Sequence, residues 1–338
     1  MIKSEEGAQK ILVVALSEGR SRFRGKLRRP GSVDMCLRLN LSSNAASPVC
    51  RLQVYYEMKA KIKQFEGFSP ALFRFFEELA ANNNKDWFDI HRAEYESLVL
   101  GTIKSFVVEL GPFVTALNPE LQVEPLVGRT ISRIANDMRF QRNRPPYRPH
   151  IYMSYPRRGK RWSDDALLYA GIGATGLSIG FYPGGHRPLR TGPIQDAIRD
   201  NLRGFQRYLD ETRIPRKYWE LAEGENHGLK KWPLPKSARR WTDLESFTVG
   251  EFFDAGDTRV RRRSFLETAR SVFLDLYPLW LFATSSDLSG DLEFYRENRK
   301  LLERPVQKKS SSQQAKSQTN SLTKPPRSRD DRRQHHSR

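Results

Sequence analysis

Cysteine is nearly absent from this chain of 338 residues: only Cys36 and Cys50 occur, both near the N-terminus. A disulfide framework is therefore not expected. Beyond residue 64 there is no thiol, which excludes cysteine nucleophiles and cysteine-ligated zinc or iron–sulfur centres from that part. Six histidines are present, but none follow H-x-x-x-H or H-E-x-x-H spacing, so no metal site is expected. No phosphate-loop glycine pattern and no G-x-S-x-G elbow occur, and no cofactor is expected. No run of about 18 apolar residues is found. "ILVVAL" (Ile11–Leu16) is short for a signal-peptide core. The expectation is a cytoplasmic protein with no membrane partner.

Basic charge is abundant. The formal net charge is +19, unevenly placed. Residues 1–64 carry +8, residues 304–338 carry +8, and the long middle only +3. Within the middle, residues 129–161 hold ten Lys/Arg against the single Asp137. The centre of that region, "NDMRFQRNRPPYRPH" (Asn136–His150), concentrates arginine, carboxylate, phenol and imidazole.

Residues 1–64 have no sustained period and read as a basic, disordered leader. Met58, just ahead of the first foldable pattern, suggests an alternative start, with the preceding residues foreign to the native protein. Residues 65–290 read as one α+β domain, a mainly antiparallel sheet flanked by helices. Residues 291–338 read as a helix end and a basic, low-complexity disordered tail. The segment 58–290 is expected to fold alone.

Within the domain, Ser69-Pro70 opens a helix bearing Leu72, Phe73, Phe76 and Leu79. "ANNNKDWF" ends it and starts another. A third helix runs through Phe106 and is expected to end or kink at Gly111-Pro112. Strands are predicted at Arg129–Ile134, His150–Tyr155, Ala166–Gly173, Gly176–Pro183 and Ser246–Phe253. A helix follows Thr191, and a last long one runs through Phe265–Trp280. "NHGLKKWPLPKSARRW" (Asn226–Trp241) suits either a nucleic-acid contact or a surface loop anchored by Trp232.

Arginine offers a planar fork of donors suited to phosphate or carboxylate. Arg133, Arg139, Asn143 and Arg144 are the ligand-binding candidates, with Asp137 as a buried carboxylate orienting one fork. Should chemistry occur, Asp137 is the base and Tyr147 or His150 the acid. An Asp–Arg pair that merely holds two turns together is the competing reading. Arg142, Arg148, Arg157 and Arg158 read as a solvated face.

The order of these pieces resembles the domain of unknown function 2461 family, bacterial conserved hypothetical proteins. The signature Arg-x-x-Arg-Asp-x-Arg-Phe is matched by R-I-A-N-D-M-R-F (Arg133–Phe140). The following Asp/Asn-Lys-x-x-Tyr is matched by N-R-P-P-Y (Asn143–Tyr147). Asn136 stands where the signature has arginine, and Arg144 where it has lysine. The resemblance covers about residues 65–285 and implies no activity. Three functions follow: a small, possibly phosphorylated anion held by the arginines, with or without catalysis; nucleic-acid binding through 129–161 and the tails; or a scaffold without a site. The small anion is the favoured partner, and the sequence sets no oligomeric state.

Overall fold

The computed structural model describes residues 55, 58–139, 144–184, 192–223, 229–244 and 248–303. Most of the leader expected over residues 1–64, the tail after 303, Arg142 and Asn143 lie outside them. The chain is α+β, built on a six-stranded sheet of order β1-β2-β3-β6-β4-β5 in which every neighbouring pair is antiparallel. The strands are β1 (His150–Ser154), β2 (Leu167–Gly173), β3 (Gly176–Tyr182), β4 (Trp219–Glu223), β5 (Leu229–Pro233) and β6 (Val249–Asp254). The helices, apart from single turns, are α1 (Pro70–Ala81), α2 (Lys85–Ile90), α3 (Gly101–Leu117), α4 (Gly192–Asp200), α5 (Leu202–Thr212), α6 (Phe265–Thr284) and α7 (Leu288–Leu302).

Side chains alternate across each strand. One face of the sheet therefore presents Ile151, Ala170, Ile179 and Val249, which pack into the core beneath α6. Helix α6 is apolar almost all round, with Phe265, Leu276, Trp280 and Phe282 all buried, so it sits inside rather than on the surface. Helix α3 packs against α6, with Phe106 stacked on Phe265 at 6.1 Å. It belongs to a continuous helical stretch, Arg92–Leu117, that is long and apolar enough to cross a membrane, but more than half of its apolar window is buried inside the fold.

Several sequence expectations are corrected here. Arg129–Ile134 is not a strand; only isolated bridges join Ile131 to Met153 and to Val127. Thr130 Oγ donates to Glu124 O, 2.5 Å away, and accepts from Leu126 N at 3.0 Å, and these side-chain bonds fold the segment into a turn. Pro112 lies inside α3 without ending it. The helix after Thr191 is two helices, because Asn201 accepts from Gly204 N and starts α5 anew. "NHGLKKWPLP" contributes edge strand β5, and Trp232 is 53% exposed rather than anchoring; Trp241 is the buried one.

The packed region also exceeds 65–290 at both ends. Tyr55, upstream of Met58, is buried, donates to Val108 O and fills the space a side chain at Gly111 would need. At the other end α7 continues to Leu302 and buries Leu292 and Tyr295. Its Arg299 meets the buried Asp275 of α6 at 2.5 Å. Asp275 also accepts from Lys217 (2.8 Å) and Tyr218 (3.0 Å), joining three parts of the chain through one carboxylate.

Candidate functional site

The arginine-rich segment leaves the core at Ile134 and returns at Arg148. Arg148 N donates to Ile134 O and Asn136 N to Pro146 O, each at 2.8 Å, so the two arms pair like the base of a hairpin. Asn136 secures that base: its amide donates to Pro145 O at 2.7 Å, and its carbonyl accepts from Arg148 Nε at 2.9 Å. Asn136 is thus a clamp. Arg148 is consequently partly buried and bonded, not one of a solvated row.

Between the arms, Asp137 takes the guanidinium of Arg139 in a two-pronged pair, with Nε at 2.9 Å and Nη2 at 2.6 Å. The Arg139 backbone N–H adds a third bond to the same carboxylate at 3.1 Å. This pair is not buried. The side chains are 78% and 50% exposed, which corrects the expectation of a buried orienting carboxylate. Hydrogen bonds from the Arg139 side chain and backbone, with a lesser pull from Arg133, draw the Asp137 pKa down to about 2. Such a carboxylate is a very weak base at neutral pH, so its chemistry is that of a splint for Arg139. Arg133 and Arg144 are exposed.

Tyr147 and His150 have other neighbours. The Tyr147 ring stacks on Phe88 with centroids 4.1 Å apart. Its backbone is held from both sides by the Asn83 amide, which donates to Tyr147 O at 2.8 Å and accepts from Tyr147 N at 3.0 Å. Burial pushes the Tyr147 phenol upward, away from proton transfer near neutrality. His150 opens β1, its ring edge-on to Tyr152 at 5.1 Å. The structure thus pairs Asp137 with Arg139, and it sets Tyr147 in a separate cluster with Asn83 and Phe88.

Asn83 was not a candidate from sequence. It is the middle of three asparagines, each with a different task. Asn82 closes α1 through Glu78 O, Asn84 caps α2 by accepting from Trp87 N, and Asn83 holds Tyr147. The run "NNN" marks a helix break, but nothing in it says that the middle amide reaches a residue 64 positions away.

The basic run 129–161 is also less basic in space than in sequence. Arg157 pairs with fully buried Asp165 at 2.6 Å, and Arg158 with buried Glu124 at 3.0 Å. Arg161 pairs with Asp164 at 2.7 Å. Arg157 and Arg158, expected on a solvated face, are therefore structural ion pairs; their partners lie just outside the run. Among the described residues no three His, Cys, Asp or Glu side chains gather as a metal-holding set.

Residues 71–282 match the profile of a family described as conserved hypothetical protein (DUF2461). No curated protein matches the chain, and no solved structure matches it.

Proposed function

The chain belongs to the conserved hypothetical protein family DUF2461, and we propose that it binds a small anionic ligand, carboxylate or phosphate, at the surface formed by Arg133 and Arg139. The supporting observation is the Asp137–Arg139 fork, fixed by three hydrogen bonds while most of the arginine side chain faces solvent. A surface arginine normally gives up rotamer freedom when it binds. Arg139 has already been held, so less is lost on binding. Arg133 adds a second guanidinium close enough to be felt at Asp137.

The small ligand is favoured over nucleic acid because the basic run is interrupted. Among the described residues, Arg157, Arg158 and Arg161 of this run already face carboxylates, which breaks the continuous track that a phosphate backbone follows. Pyrophosphate is a suitable probe. Calorimetric titration of the full chain should give saturable binding, weakened at least about tenfold by Arg139→Lys, which keeps the charge and loses the fork. Unchanged binding in that variant refutes the reading.

A further inference from the structure

A second site lies away from the arginine surface, where β6 meets the first half of α6. A cleft of about 440 Å³ there is lined by Lys217, Tyr218, Glu251, Arg259, Thr268 and Ser271. That volume falls in the range of small-molecule sites.

Its lining carries charges of both signs, Lys217 and Arg259 beside Glu251 and Glu267. Lys217 is fixed from behind by Asp275 at 2.8 Å yet is 45% exposed. Arg259 is fixed by a two-pronged pair with Asp257 (3.0 and 2.6 Å), stacks 4.7 Å above Phe253, and is 63% exposed. Both cations are thus positioned and retain donors for an anion. Glu251 is the reverse case. It lies opposite Ile179 on β6, on the face that packs under α6, half-buried and with no hydrogen bond among the described residues. Burial raises its pKa; Lys231 and Arg259 pull it back only in part, and Asp257 adds to the rise. Of the other titratable groups lining the cleft, Tyr218 spends its hydroxyl on Asp275, and Glu267 of α6 is paired with Arg270 at 3.3 Å. A half-buried carboxylate without a donor is costly, and a bound cation would relieve that cost. The hydroxyls of Thr268 and Ser271 likewise make no hydrogen bond among the described residues and line the cleft.

We infer that this cleft binds a small zwitterion, its anionic group facing Lys217 and Arg259 and its ammonium facing Glu251. The inference is independent of the arginine surface. The twenty standard L-amino acids, added singly to the full chain in thermal-shift and calorimetric titrations, are the probes. At least one raises Tm saturably, and its affinity climbs as pH rises through the carboxylate range, because the ligand selects ionised Glu251. Glu251→Gln weakens it about tenfold or more and removes that pH dependence. Ser271→Phe, a change at an exposed helix position that fills the cleft, abolishes it without unfolding the chain. Arg139→Lys, which disables the other surface, leaves this affinity as it was, so the two sites fail separately. If no amino acid shifts the native chain, or if Glu251→Gln and Ser271→Phe both bind as the native chain does, the inference is overturned.

Discussion

Arginine has two distinct lives in this protein, and side-chain exposure separates them. Arg158 is 12% exposed against a Glu124 that is 1% exposed. Removing the carboxylate leaves a buried guanidinium unpaired, so Glu124→Ala should cost about 3–5 kcal/mol. Asp137→Asn disturbs a pair standing in solvent and should leave stability nearly unchanged. Urea unfolding of the two variants checks the contrast; similar losses would mean that the Asp137 pair holds the fold. Glu251 supplies the pH-dependent case. Its folded pKa is raised by burial, so its ionised form costs stability above that pKa, and the cost disappears below the ordinary value of about 4.3. Glu251→Gln should therefore melt higher than the native chain at neutral pH, with the gap closing as pH falls toward about 4. A gap that stays constant with pH would show that Glu251 is not the titrating group. None of these distinctions is visible in a linear charge count. The partners Glu124, Asp164 and Asp165 sit outside the basic run, and backbone pairing of Glu120 and Gln122 with Arg158 and Pro156 brings Glu124 to Arg158.

Among elements, those with strong periodicity were legible and those at edges were not. Helices α1 and α6 and strands β1, β2, β3 and β6 carry apolar residues at helical or alternating spacing, because each buries a face against the same core. Strand β5 is different: most of its residues are exposed, so burial imposes no pattern on it. Its place in the sheet comes from backbone pairing with β4, which sequence does not record. The helices after Thr191 looked like one because their apolar positions stay in phase across the Asn201 break. Close approach of strands was equally hidden. Gly180 and Gly250 face one another across β3 and β6, and a Cβ on Gly250 would strike Ile179 O and the Gly180 backbone. Gly250→Ala should lower stability by about 1–3 kcal/mol or more, because the obstacle is backbone rather than a side chain that can turn away. The urea midpoint of that variant measures it, and an unchanged midpoint would mean the two strands separate freely.

For the whole molecule, the domain's limits follow from long-range contacts rather than from composition. Tyr55 and α7 both lie outside the periodic segments that mark the core, yet both contribute buried rings. A chain covering 58–290 lacks Tyr55, Tyr295 and Arg299, and leaves Asp275 with fewer of its donors. It should melt roughly 10 °C or more below a chain covering 55–303, given losses of several kcal/mol in a domain of this size. Equal melting temperatures would show that α7 is an accessory.

The candidate arginine site was partly readable at this scale too. Its location came from the density of "NDMRFQRNRPPYRPH", and the Asp137–Arg139 pair was one of the readings. Its exposure was not readable, because two residues in a turn face inward or outward according to how the hairpin base is clamped by Asn136. The most direct test of anion binding is salt dependence. Titration of the full chain with pyrophosphate and with a single-stranded oligonucleotide, at about 50 and about 200 mM salt, separates a local site from a phosphate track. The account predicts that pyrophosphate binds, that its affinity falls by less than roughly a hundredfold over this range, and that Arg139→Lys weakens it about tenfold or more. An oligonucleotide that binds tightly and loses about a thousandfold or more, with pyrophosphate failing to bind, would contradict it.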